Sequence, residues 1–439
     1  MLYFLIFILL MLLILSYYTL GRDIFQPSCI INAVWLVSAV SALINQHIWQ
    51  YKYHLNTVAV IVGGLFTIYA VNFIFAYKKY KVVKSSSEEC ALKKIQVSSP
   101  VLILFLLIQL IALFSYYREI MRIAGSGSGI NEIMALFRNA VSYGTEESVS
   151  FIANQLSNLS FAIAVVFSYI FINNIIQGRI KGNKRFLLPL LMYFAQVLMS
   201  GARGGIVYLI AGLIAEFGLI YYKKNRKSIK VTLKLVLTVL FIGLFVSVGF
   251  YILKSVVGRS TDLDFITYVA RYLGGPIPLF DMFLQDPVVS DIWGKETFYS
   301  VLKWLRNLGL IDYKPYISHL EFRSYNGYSL GNVYGGVRRN IADFGIGGMF
   351  VLQAVFSAIM SYFYNRIKRT GSGKGIAFYS SIASCLFFHF YSDGFYGRVL
   401  TFGTVIIYIM ILFVYWFVVD RPKVKEIKYY KKLSNIKAR

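Results

Sequence analysis

The stretch 263–284, LDFITYVARYLGGPIPLFDMFL, decides the topology of this chain. It is nearly as apolar as a membrane-crossing helix, yet it holds Arg271 and a Gly-Gly-Pro-Ile-Pro break. Counted as a crossing, it inverts everything that follows and leaves the basic segment 365–375 and the basic tail outside. That opposes the excess of Lys and Arg that cytoplasmic loops carry. The stretch is therefore expected to be a re-entrant or interface-lying hairpin lining a cavity, where irregular backbone is tolerated at membrane depth.

Outward from it, the chain is dominated by apolar blocks. Of 439 residues, 57% are hydrophobic and 15% charged, where a soluble domain carries about 25% charged residues. Mean hydropathy is +0.62. Most blocks have the length that spans ~30 Å of hydrocarbon at 1.5 Å per residue. They fall at 2–19, 29–49, 57–77, 100–117, 151–176, 186–200, 204–222, 231–253, 341–364, 376–391 and 399–419. The expected fold is an all-α polytopic membrane protein of about eleven transmembrane helices. Segment 1–253 holds eight of them, 254–340 is a long, partly helical outer loop, 341–419 holds three, and 420–439 is a basic cytoplasmic tail.

The net charge of +25 does not point to nucleic acid, because the cations sit in short loops rather than on one soluble face. With the tail inside, the inner segments hold 28 of the 45 Lys and Arg. Ten of the outer cations lie in 254–340, and long loops translocate largely regardless of charge. No outer cysteine pair is available for a disulfide. The first block lacks a basic leader and a small-residue cleavage site, so it is expected to stay as a helix. No proline interrupts a span and no repeat is evident, which weakens a transporter reading.

Several residues stand out chemically. Glu216 and Lys234 flank one inner turn and are expected to form a structural ion pair, with proton relay as the alternative. Segment 118–150 contains a Gly/Ser run and an amphipathic stretch at 131–141, read as a short interfacial helix on the outer face, with an ordinary covered loop as the alternative. Arg203 sits among Gly201, Gly204 and Gly205 at the outer end between two spans, at phosphate depth, either facing a ligand or snorkelling over a tight helical turn. Segment 314–348 gathers His319, Glu321, Arg323, Asn326, Asn332, Tyr334, Arg338, Arg339 and Asp343. Interleaved Tyr, Asn, Arg and acids suit a sugar, and arginines clamp pyrophosphate bidentately.

On three features the chain resembles the Wzy-type O-antigen and capsule polymerases, within the O-antigen polymerase/ligase superfamily of bacterial membrane glycosyltransferases. These are SGARGG at 200–205, similar to a (S/T)G-x-RG element, the long outer loop before the last three spans, and GNVYGGVRRNIADFGIGG at 331–348. The last is similar to an N-x-Y…D-(F/W)-G-x-x-G pattern leading into the next helix. A Gly-Gly follows Tyr334 where relatives commonly carry a hydroxyl residue. The resemblance implies a protein of the bacterial cytoplasmic membrane that polymerises polyprenyl-pyrophosphate-linked oligosaccharide repeats on its outer face, without metal or other cofactor. Its partners would be those lipid-linked oligosaccharides and membrane lipid, with a chain-length regulator as a further candidate. Functional arginines carry over to Arg203 by motif and to Arg323 and Arg338 by position.

The chemistry then needs cations to neutralise the departing pyrophosphate and a base for the acceptor hydroxyl. Candidate bases are His319, Glu321 and Asp343, and candidate substrate contacts are Arg203, Arg271, Arg323, Asn326, Asn332, Tyr334, Arg338 and Arg339. The remaining histidines are His47 and His54 near the first outer turn and His389 in a span. Alternatives are a ligase of the same superfamily and a non-enzymatic flippase of lipid-linked oligosaccharides.

Overall fold

The computed structural model describes residues 1–78, 94–125, 129–143, 148–178, 181–201, 204–256, 263–312 and 319–422. In chain order the helices are α1 (Leu2–Thr19), α2 (Pro27–Ile44), α3 (Gln46–Trp49), α4 (Leu55–Tyr77), α5 (Ser99–Ala124), α6 (Ile130–Tyr143), α7 (Phe151–Ile176), α8 (Leu188–Met199) and α9 (Gly204–Asn225). They continue as α10 (Leu233–Val256), α11 (Phe265–Gly274), α12 (Pro276–Gln285), α13 (Tyr299–Asn307), α14 (Arg338–Thr370), α15 (Gly373–Ile382), α16 (Ser384–Phe387) and α17 (Phe402–Tyr415). A two-stranded antiparallel hairpin, β1 (Arg323–Tyr325) and β2 (Tyr328–Gly331), lies between α13 and α14.

Among the described residues nine helices are long and apolar enough to cross a membrane. The protein is therefore an all-α, multi-pass membrane protein. Two expected spans fall on shorter elements. α8 starts at Leu188, with Pro189 in its first turn, after a 3-10 turn, and the 376–391 block breaks at Ala383. Beyond α16 the backbone turns to α14's approach instead: Gly336 N–H donates to the His389 carbonyl at 2.7 Å and Gly335 N–H to that of Tyr391 at 3.2 Å.

The helix ends sort into two faces. On one, Asp23 in the α1–α2 turn accepts from Lys368 at 2.5 Å and Tyr364 at 2.8 Å, both near the end of α14. On the other, the 51–54 connection reaches Asp281 of α12. The expected Glu216–Lys234 pair does not form. Glu216 turns inward from α9 and accepts from Ser168 of α7 at 2.7 Å and Ser380 of α15 at 2.9 Å. Lys234 is exposed on α10, which packs against α11 and has none of its hydrophobic window fully buried.

The 263–284 stretch forms α11 and α12. They join at Gly275 with φ −55° and ψ −30°, helical backbone that makes a bend in place of the hairpin turn. Pro276 and Pro278 cannot donate backwards, which weakens the helix there. The bend lies against α2: Ser38 donates to the Leu273 carbonyl at 2.7 Å. A Cβ on Gly274 would stand 2.3 Å from the Ala42 nitrogen.

Candidate functional site

The first turns of α14 carry Arg338, Arg339, Asn340 and Asp343, all buried. Gly345, at φ +67° and ψ −176°, detaches them from the long membrane part of the helix. Arg338 forms ion pairs with Glu296 and, at 3.2 Å, with Glu321. Its guanidinium lies 4.7 Å from the Phe283 ring centroid and 5.5 Å from that of Tyr334. Arg339 donates to the Glu296 carbonyl at 3.1 Å and lies 5.0 Å over the Tyr299 ring. Asp343 accepts from the backbone N–H groups of Glu296 at 3.1 Å and Thr297 at 2.6 Å. Burial raises the Glu296 carboxyl above its ordinary value, against the pull of Arg338 and Arg339. Arg338, Arg339 and Asp343 thus bind protein groups and set the frame of this region.

The hairpin side is organised similarly. Arg323 donates to the carbonyls of Met282 at 3.0 Å and Asp286 at 3.3 Å, capping the end of α12, and reaches Glu321 at 3.4 Å. Tyr334 donates to the Glu321 carbonyl at 3.0 Å and Asn332 to that of Leu320 at 3.3 Å. Burial, with the Glu321 charge nearby, pushes the Tyr334 phenol up. Asn326 (φ +50°) and Gly327 (φ +77°) are the two-residue turn of the hairpin, the backbone that Asn-Gly favours. His319 is half-buried at the edge of the described residues. Arg203 lies outside them. The Gly-Gly after Tyr334 has a steric cause: a Cβ on Gly336 would meet the His389 carbonyl oxygen at 2.8 Å, and Gly335, at φ +81°, faces Trp35.

On the same face, α9, α10, α11 and residues 388–391 enclose a cavity of about 250 Å³. Its walls include Tyr208, Phe250, Tyr272, Phe388 and Tyr391, with Gly204 at its edge. Two cations hold the wall rings. The Arg398 guanidinium lies 3.8 Å from the Tyr208 ring centroid and donates to Ser384 at 2.7 Å, and Arg271 lies 5.6 Å over Tyr272. Among the described residues neither cation has a carboxylate partner. In sequence Arg203 immediately precedes Gly204.

Of the groups gathered here, sequence reading found Arg271 and missed Arg398 and Glu296. A cation in the short 392–398 connection, YSDGFYGR with its preceding Tyr391, was a readable signal. Glu296 carries none, because its partner Arg338 is distant in the chain. Among the described residues no three His, Cys, Asp or Glu side chains converge as a metal site requires. No protein-family model, characterised protein or solved structure matches the chain.

Proposed function

We propose that this protein polymerises polyprenyl-pyrophosphate-linked oligosaccharide repeats on the outer face of a bacterial cytoplasmic membrane. The observation that carries the reading is the aromatic cavity flanked by Arg271 and Arg398, cations without carboxylate partners among the described residues. An apolar, ring-lined wall suits a polyprenyl chain, and guanidinium groups suit its pyrophosphate, to which they donate two parallel hydrogen bonds. The lipid pyrophosphate is already a good leaving group. The protein has to neutralise the charge that develops on it and accept a proton from one acceptor hydroxyl.

Arg271 and Arg398 take the first task, with Arg203, next to Gly204 in sequence, as the third cation of this reading. Of the three candidate bases, Asp343 is held by backbone N–H groups and Glu321 by arginines, and histidine is the side chain that most often serves as a general base, so His319 takes the acceptor's proton in this reading. The short inner loops and the tail carry the basic excess, so the cavity faces outward.

Deletion of the encoding gene tests the reading. The expected result is single repeats accumulating on lipid outside the membrane, with polymer restored by the intact protein. Accumulation inside would make it a flippase. Free polymer that fails to reach its final acceptor would make it a ligase.

A further inference from the structure

In the middle of α12, Asp281 is fully buried. It accepts three hydrogen bonds from the first connection on this face: Tyr51 OH at 2.9 Å, His54 N–H at 2.8 Å, and His54 Nδ1 at 2.7 Å. With Nδ1 donating to the carboxylate, Nε2 of the neutral imidazole is left as an acceptor. The His54 side chain is 51% exposed, and among the described residues nothing occupies Nε2. Asp281 thus fixes both the tautomer and the direction of an open imidazole.

Aromatic rings surround it. Tyr51 packs edge-on against Tyr53 at 5.1 Å and against Tyr325 at 4.8 Å. Tyr325 pairs directly with Tyr328 across the hairpin, so both project from one face of it, and both are exposed. The Tyr53 hydroxyl is buried and has no hydrogen-bond partner. Burial and the Asp281 charge push the Tyr51 and Tyr53 phenols up, so they stay neutral donors. A directed acceptor and the exposed phenol side chains of Tyr325 and Tyr328 are what a sugar needs: polar partners for its hydroxyls and an aromatic surface for its apolar face.

We propose that His54, oriented by Asp281, and the Tyr325–Tyr328 hairpin tip form a saccharide-binding subsite for the glycan part of a lipid-linked oligosaccharide. The proposal rests on the polymerase reading and names where its sugar lies. Arg271 and Asp281 are ten residues apart on the bent α11–α12 helix, a path of about 15 Å at 1.5 Å per residue. With its pyrophosphate at the cavity, an oligosaccharide extends along this face toward His54.

The test uses the full-length protein in nanodiscs and the host's own repeat oligosaccharide, released from its lipid. Titration calorimetry reads binding, and polymerisation of lipid-linked repeats is measured on the same preparation. His54→Asn keeps a donor to Asp281 and withdraws the acceptor from the outward Nε2 position, and His54→Phe removes it altogether. Tyr325→Ala removes a ring from the exposed hairpin tip. Expected are binding by the intact protein, at least fivefold weaker binding in each variant, and a raised KM with kcat little changed.

Equal binding by intact protein and variants, or no binding at all, overturns the subsite, and the polymerase reading then stands if polymer still forms. Absence of polymer from the intact protein overturns the polymerase reading and with it this assignment of the glycan.

Discussion

The indole N–H of Trp35 meets Nδ1 of His389 at 2.9 Å, and this one contact commits a buried imidazole to a single tautomer. An indole only donates, so His389 carries its hydrogen on Nε2 and gives it to Gln353 Oε1 at 2.9 Å. Gln353 then donates to Asn340 at 2.8 Å, and Asn340 reaches Asp393 at 3.5 Å. The polar line ties α2 through α14 to the loop that ends at Arg398. Trp35→Phe leaves the Nδ1 acceptor unsatisfied and is expected to cost about 1–3 kcal/mol. Thermal unfolding in detergent reads this, and an unchanged midpoint would show the line carries no energy.

Two glycines of the ADFGIGG run separate conformation from space. Neither Gly345 nor Gly347 has a neighbouring atom within 4 Å of an added Cβ, but only Gly345 has positive φ. Gly345→Ala is expected to destabilise by about 1–3 kcal/mol through backbone strain. Gly347→Ala is expected to be neutral or to stabilise by up to about 1 kcal/mol, as alanine does in a helix. Chemical denaturation of the pair checks the contrast.

Arg338 is expected to behave as half of a buried pair. Arg338→Ala strands Glu296 and should cost about 3–5 kcal/mol. Adding Glu296→Gln to that variant should restore part of the loss, because the uncompensated charge is gone. A double variant no more stable than Arg338→Ala would mean that the pair is not what holds α14 to the 296–297 loop.

Stability should also depend on pH through Asp393. Burial pushes its carboxyl from the ordinary 3.8 up to about 6. The folded protein therefore holds this proton more tightly than the unfolded chain. Its contribution, about 3 kcal/mol, is complete below about pH 4 and is lost as pH rises to about 6. Asp393→Asn should flatten that part of the stability profile. An identical slope in the variant would assign it to other groups.

Arg398 and Arg203 give the sharpest test of anion binding. Arg398→Lys keeps the charge and loses the planar fork that rests on Tyr208. Polymer yield at equal protein level is expected to fall about 10- to 100-fold, the worth of one or two charge-assisted hydrogen bonds. Arg203→Lys is expected to act the same way. Wild-type polymer in either variant removes that residue from the site.

The membrane fold was readable because lipid imposes a one-dimensional rule: long apolar blocks must become helices, and basic loops mark one side. The candidate residues were less so. Arg323, Arg338 and Asp343 looked like ligand groups because their polarity was visible, whereas their partners, the α12 carbonyls, Glu296 and the 296–297 backbone, came together only on folding. Lys234 failed for the converse reason. Its depth matched that of Glu216, but the rotation of α10 about its axis is set by packing, which periodicity does not fix when every face is apolar. Asp281 and His54 are far apart in sequence and each looks ordinary alone.

The loosely seated α10 has a kinetic consequence. It supplies Val246, Ser247 and Phe250 to the cavity wall while none of its hydrophobic window is buried. A ligand dissolved in the bilayer meets that wall from the side, without passing through water. Its occupancy then follows its mole fraction among the lipids, so diluting protein and ligand in buffer at a fixed lipid ratio leaves turnover constant, whereas adding inert lipid lowers it.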